Sequence, residues 1–221
     1  MGYKKTLVFG DSYSTFRDYI PEGNATYYGA DMERPSEEHT QCNVKKVEQT
    51  WWHKVLTATD SNLLINDSWS GSTIGYRGYN GDDNRATGKS FICRLRKYKK
   101  QSLFKENKVD AVFVFGGTND CWCGADTGEL KFEGVTEEDC YSVLPAFCLF
   151  FKELKETLPE ADIYAVINCD LKYEIIEGLR GAAEHYGITP IKLEGVDKLN
   201  GHPTIRGMED IANQILAKIK K

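Results

Sequence analysis

Five short apolar runs constrain what this 221-residue chain can fold into. They are Thr6–Phe9, Leu63–Asn66, Ala111–Phe115, Ile163–Ile167 and Pro190–Leu193. The first, third and fourth are nearly continuous Val, Ile, Phe and Ala, without the polar alternation of a half-buried strand. Strands read that way when both faces are covered, as in a parallel sheet between helical layers. Stretches of helical period lie between the runs. Gln49–Thr59 carries Trp51, Trp52, Val55 and Leu56. Thr136–Leu158 opens on an acidic first turn and repeats Tyr141, Leu144, Phe147, Phe151 and Leu154. Lys172–Tyr186 stops at Gly187, and Pro203–Lys220 aligns Ile205, Met208, Ile211, Ile215 and Ile219. Strands alternating with helices predict right-handed βαβ crossovers and an α/β fold of three layers, α/β/α, around a parallel five-stranded sheet.

The remaining composition narrows the function classes. A net charge of −5 argues against a general nucleic-acid binder, which carries a basic stripe. No apolar run reaches the ~18 residues needed to span a bilayer, so no membrane partner is expected. The seven cysteines are odd in number and scattered, which favours reduced, mostly buried thiols and a cytoplasmic location over a disulfide framework. No signal-peptide core precedes the first strand, although a removed leader would leave the same sequence. One domain spanning residues 1–221 is expected, with a long irregular excursion at about 17–48. That excursion and the loops Gly75–Lys89 and Cys121–Gly134 leave the end of the sheet where α/β proteins bind ligands.

Four segments at predicted strand ends or loops carry chemistry. Gly10-Asp11-Ser12-Tyr13 follows the first run and sets a serine hydroxyl on a sharp turn; a helix cap by Asp11 or Ser12 is the alternative use of these residues. Gly71 follows the second run, where a backbone N–H unshielded by a Cβ can approach a ligand. Gly117-Thr118-Asn119-Asp120 follows the third, and Asn119 offers a side-chain amide or an Asx-turn. His202, in Gly201-His202-Pro203, precedes the last helix. Together they supply a nucleophile, two kinds of oxyanion donor and a base, the set needed for acyl transfer.

In this order the segments resemble the SGNH (GDSL-type) hydrolases, flavodoxin-like esterases and lipases, over residues 6 to about 216. The resemblance implies Ser12 as nucleophile, His202 as general base, and an oxyanion hole from the N–H groups of Ser12 and Gly71 with the Asn119 side chain. It implies no metal and no organic cofactor. The family has an Asp three residues before its His, and that position here is Leu199. Asp197 is then the candidate that orients His202 Nδ1. Its rival is a main-chain carbonyl or another acceptor, which leaves a Ser12–His202 dyad. Asp11 and Asp120 are expected to bond turn N–H groups.

Aromatic residues stand close to these blocks. Trp69, Trp122 and Tyr76 are candidates for a substrate surface, with Tyr79 in the same loop and Tyr27 and Tyr28 in the excursion. Such faces suit a sugar ring, or simply pack beneath the loops. The leading expectation is a serine esterase for short acyl groups, acetyl first, on a carbohydrate or other small polar alcohol. The rivals are a phosphate-cradling flavodoxin-type protein using Ser12, Ser14 and Thr15, a non-catalytic carbohydrate binder of the same fold, and an acyltransferase using the same residues. Oligomeric state is not legible.

Overall fold

In the computed structural model, which describes residues 2–31 and 43–219, the five apolar runs form one parallel sheet. Its strands are β1 (Thr6–Gly10), β2 (Leu63–Ser68), β3 (Ala111–Phe115), β4 (Asp162–Ile167) and β5 (Thr189–Lys192), in the order β2-β1-β3-β4-β5. Seven helices accompany them among the described residues: α1 (Trp51–Ala58), α2 (Phe91–Lys100), α3 (Leu103–Glu106), α4 (Thr118–Trp122), α5 (Val143–Thr157), α6 (Tyr173–His185) and α7 (Ile205–Ile219). Strand order reverses beside β1, so the expected flavodoxin-like α/β/α arrangement is the one observed.

Burial on both faces explains the missing alternation. In β1, Leu7 and Phe9 join the core beneath α2, α5 and α6, while Val8 joins the core beneath α1 and α7. In β3, Val112 and Val114 point to the first core and Phe113 and Phe115 to the second. A polar residue on either face would lose its hydration without gaining a partner. The first core is aromatic at its centre: Phe150 of α5 sets its ring edge-on to Phe9 at 5.6 Å and to Phe91 at 5.7 Å.

The helices depart from expectation in several places, and the short α3 and α4 are among those not predicted. The predicted helix over Thr136–Leu158 starts only at Val143. Pro145 cannot occupy a helix interior, because its ring clashes with the carbonyl four residues back; it is tolerated in the first turn of α5. The acidic Thr136–Asp139 segment is a separate turn, in which Asp139 accepts the Thr136 N–H at 2.7 Å. Helix α2 was not anticipated. Its buried stripe of Phe91, Leu95 and Tyr98 includes Arg94, which breaks the apolar pattern. The last helix begins at Ile205, because His202–Pro203 pairs as strand β7 with β6 (Lys198–Leu199).

Of the excursion at 17–48, residues 32–42 lie outside the described residues, and so does Lys220 of the predicted last helix. The six described cysteines are free thiols; Cys140 and Cys148 are buried, whereas Cys93, Cys121, Cys123 and Cys169 are half-buried, fewer in the core than expected. Among the described residues, no helix is long and apolar enough to cross a membrane.

Truncating Phe150 removes a ring wedged between two others in the centre of a close-packed core. Phe150→Ala is expected to cost about 3–5 kcal/mol, read as a lower urea midpoint at unchanged m-value.

Candidate active site

The strand register places the site. Gly10 pairs with Ser68 on one side and Phe115 on the other, so β1, β2 and β3 end at one rim. The ladder continues past the strands: Trp69 N–H donates to the Gly10 carbonyl at 3.1 Å, and Asp11 N–H to the Phe115 carbonyl at 3.3 Å. A Cβ at Gly10 would collide with Ser14 and Ser68, so only glycine allows this approach. The chain then makes one 3₁₀ turn, Ser12–Ser14, capped by Asp11, whose carboxylate accepts the Tyr13 N–H at 3.0 Å. Ser12 is almost fully buried, and its Oγ lies 2.9 Å from His202 Nε2 across 190 residues of sequence.

His202 arrives on a two-residue hairpin. Leu199 pairs directly with His202, and the turn residues Asn200 and Gly201 have φ of 49° and 77°. Positive φ at both positions is the type I′ pattern that Asn-Gly favours. This hairpin accounts for the departure from the family pattern. The third position before the histidine is its cross-strand neighbour, and His202 Nδ1 lies 3.3 Å from the Asn200 carbonyl.

The structure does not bring Asp197 to the imidazole. Asp197 accepts the Thr204 hydroxyl, and Thr204 Oγ1 in turn accepts the Gly207 N–H at 3.2 Å, capping α7. The expectation that Asp197 orients His202 is therefore corrected: that carboxylate fastens the hairpin to the last helix.

Among the described residues, three aromatic side chains stand around the ring. Tyr27 stacks on it at 3.6 Å with a 4° interplanar angle; Tyr13 and Trp122 meet it edge-on at 5.3 and 5.8 Å. The Tyr13 hydroxyl donates to the Gly201 carbonyl. Lys198 sits 5.3 Å over the Tyr13 ring and donates to Asn168 Oδ1 and Asp170 Oδ2, each at 2.6 Å. The hairpin is thus tied to the sheet at both strands.

Hydrogen-bond donors line the other side of the rim. Gly71 has φ of 79°, and neither its N–H nor that of Ser12 donates to a protein group among the described residues. Asn119, on α4, donates from Nδ2 to the Ser72 carbonyl at 2.8 Å and accepts the Tyr79 hydroxyl on Oδ1 at 2.7 Å. Those two bonds define which way the amide faces and leave its second N–H uncommitted to them.

Beneath lies Arg94, buried to 3% exposure. Its guanidinium pairs with Asp67 at 2.9 Å, donates to the Gly10 carbonyl and to Ser72 Oγ at 3.2 Å each, and lies 4.3 Å over the Phe91 ring. One side chain thereby joins the turn before Ser12 to the loop beside Gly71.

Two buried carboxyls complete the base of the site. Asp120 accepts the N–H groups of Ile74 and Gly75 at 3.0 Å, as expected of a turn-bonding residue. Burial raises the Asp120 carboxyl from 3.8 to about 6 against these N–H groups. Burial raises Asp11 more, to about 7; the nearby Asp120 charge adds to the rise, and the Tyr13 N–H, Arg94 and Lys198 oppose it.

The predicted substrate aromatics fare differently. Trp122 is 41% exposed beside His202, and Trp69 is half-buried directly after β2. Tyr76 is corrected: its ring is wholly buried in the first core, and its hydroxyl donates to the partly exposed Glu137 at 2.6 Å. Sequence reasoning noted Tyr27 in the excursion without connecting it to His202, and it missed Arg94. The signal for Arg94 was a Ser90 cap followed by a helical stripe containing one arginine.

Comparison with known proteins places the chain among the hydrolases of this three-layer fold. The chain belongs to the GDSL-like lipase/acylhydrolase family, whose model matches residues 4–219. It is 38% identical to a protein assigned as a GDSL-like lipase in Bacteroides ovatus, with a TM-score of 0.88 over 100% of this chain and 99% of that one. A protein assigned likewise in Bacteroides uniformis is 37% identical, with a TM-score of 0.86 over 100% and 97%. An acetyl xylan esterase from Butyrivibrio proteoclasticus shares the fold at 14% identity and a TM-score of 0.63, over 100% of this chain and 64% of that one. No curated protein matches the chain at a significant level.

Asp11 yields a sign for pH dependence. Folded, it holds its proton up to about pH 7; unfolded, only to about 3.8. Its contribution to stability therefore falls as pH rises from about 4 to about 7. Asp11→Asn keeps the Tyr13 cap and removes this loss. Relative to wild type, the variant is expected to gain about 1–3 kcal/mol more at pH 7.5 than at pH 4.5 in urea unfolding.

Proposed function

We propose that this hydrolase is a serine esterase acting through an acyl-enzyme on Ser12. The observation that carries the reading is the 2.9 Å contact between Ser12 Oγ and His202 Nε2. Ser12 Oγ attacks the ester carbonyl while His202 Nε2 takes its proton. The oxyanion is held by the N–H groups of Ser12 and Gly71 and by Asn119 Nδ2. As the tetrahedral adduct collapses, His202 gives the proton to the leaving alcohol. Water, deprotonated by His202, then attacks the acyl-enzyme and releases the acid and free Ser12.

A short acyl group, acetyl first, on a carbohydrate is the substrate we favour. Trp122 offers an exposed indole face beside the base, as a sugar ring requires, and a structural neighbour is an acetyl xylan esterase. A second reading, carbohydrate binding at the same rim without turnover, is favoured by that same exposed indole.

Two measurements test the proposal. A fluorophosphonate probe is expected to add one adduct, mapped by mass to Ser12 and absent in Ser12→Ala; an adduct elsewhere, or none on folded protein, overturns it. Asn119→Ala is expected to lower kcat on p-nitrophenyl acetate about 10²–10³-fold with little change in KM, because its donor matters most when the oxyanion forms. Equal turnover by wild type and Ser12→Ala would leave the binding reading.

A further inference from the structure

The parallel stack of Tyr27 on His202 goes beyond packing, and we propose that the Tyr27 ring is a positioning residue that stabilises the protonated imidazole during proton transfer. The inference rests on His202 being the base. The rings lie 3.6 Å apart and 4° from coplanar, and Tyr27 is only 6% exposed. A cation facing an aromatic ring is attracted by the ring quadrupole, more strongly when water is excluded. Neutral imidazole gains much less from the same contact. Stacking of this kind therefore favours the proton-carrying state, in which His202 stands after taking the Ser12 proton and before releasing it to the alcohol.

The stack is built into the fold. Tyr27 N–H donates to Thr15 Oγ1 at 2.8 Å, just after the Ser12 turn. On the β2 side, Ser70 N–H donates to the Ala25 carbonyl at 2.8 Å, and Asn24 Nδ2 to the Ser68 carbonyl at 3.0 Å. The next residue, Tyr28, donates its hydroxyl to the Pro203 carbonyl at 2.9 Å, so it straps the excursion to the strand that bears His202. Residues 24–28 thus span the rim from Ser68 to Pro203 and hold one ring against the imidazole.

Other titratable and charged groups lie on the elements packed against the ring. The Ser12 turn contributes Ser12, Tyr13 and, behind them, buried Asp11. The hairpin contributes Lys198, held by Asp170 from the loop after β4, and Asp197 bound to Thr204. Helix α4 contributes Trp122 and, at its base, Asp120. Tyr27 and His202 each have further contacts, so the comparison of Tyr27→Phe, which removes only the hydroxyl, with the ring-altering variants is what isolates the stack.

The test reads His202 without needing turnover. In a Ser12→Ala background, the His202 ring C–H signal is titrated by NMR; the chain has four histidines, and the signal is assigned by its loss in His202→Gln. Tyr27→Phe is expected to leave the His202 pKa in place, because the ring face remains. Tyr27→Leu is expected to lower it by roughly 0.4 to 1.5. Pentafluorophenylalanine in place of Tyr27 keeps the shape and inverts the quadrupole, and is expected to lower it at least as far even if the leucine variant does not fold.

With Ser12 restored, the lower limb of the kcat/KM–pH profile shifts by the same amount, and kcat falls about 2- to 30-fold with KM nearly unchanged. An unchanged His202 pKa with the fluorinated ring, or a fall in Tyr27→Phe equal to that in the other variants, overturns the inference. Failure of Ser12 to react with the fluorophosphonate would instead overturn the reading of the site, and the NMR result separates the two.

Discussion

A buried guanidinium holds the rim of the candidate site together. Arg94 reaches through the first core to the Gly10 carbonyl, the Asp67 carboxylate and the Ser72 hydroxyl. Each contact belongs to a different part of the rim: the turn into Ser12, the end of β2, and the loop that carries Gly71. A charge at 3% exposure persists only when fully paired; besides these rim partners, Arg94 Nε donates to the Lys89 carbonyl at 3.1 Å. The 2.8 Å bond from Asn119 to the Ser72 carbonyl then extends the same network to α4. Polar groups that would be costly singly become, once satisfied together, the reason that three separate loops share one geometry.

The opposite wall is organised by a different means. His202 is not held by sheet register but by a local hairpin, the Tyr13 hydroxyl on the Gly201 carbonyl, Lys198 between Asn168 and Asp170, and the Tyr28 hydroxyl on Pro203. The wall that bears Ser12 is an extension of the strands, whereas the wall that bears His202 is an assembly of short-range contacts with aromatic faces. This division explains how the usual spacing of acid and histidine can be lost while Nε2 still meets Ser12 Oγ. A two-residue turn sets the imidazole's position from its own backbone, and Asp197 instead holds Thr204, which caps α7.

How much of this was readable from the residues follows from what each interaction depends on. The five strands were legible because burial on both faces writes itself as continuous apolar sequence, as in Ala111–Phe115. Ser12, Gly71 and Asn119 were legible as candidates because a strand end is a local feature, and so are the residues that follow it, whereas His202 was legible only from its segment before the last helix. Helix α2 was hidden because Arg94 interrupts its apolar stripe with a charge whose partners lie on other strands. The start of α5 was misplaced because an acidic turn imitates a helix start, and only Pro145 marks the true one. Asp197 and Tyr76 were misjudged for one shared reason: closeness in sequence to a block says little about which way a side chain leaves a hairpin or a loop. The Tyr27 stack joins segments 175 positions apart and leaves no local trace.

The span between Ser12 and His202 carries its own consequence for how the molecule comes to work. A contact closed over 190 positions is entropically expensive and slow, and it forms only after the strands between have been laid side by side. With the proposed Ser12–His202 pair as the reacting groups, a refolding intermediate with all its helices and most of its sheet would look native by circular dichroism yet lack turnover. Regain of turnover is therefore a stricter gauge of completed assembly than regain of secondary structure, and damage to any intervening crossover would register in the chemistry before it registered in the spectrum.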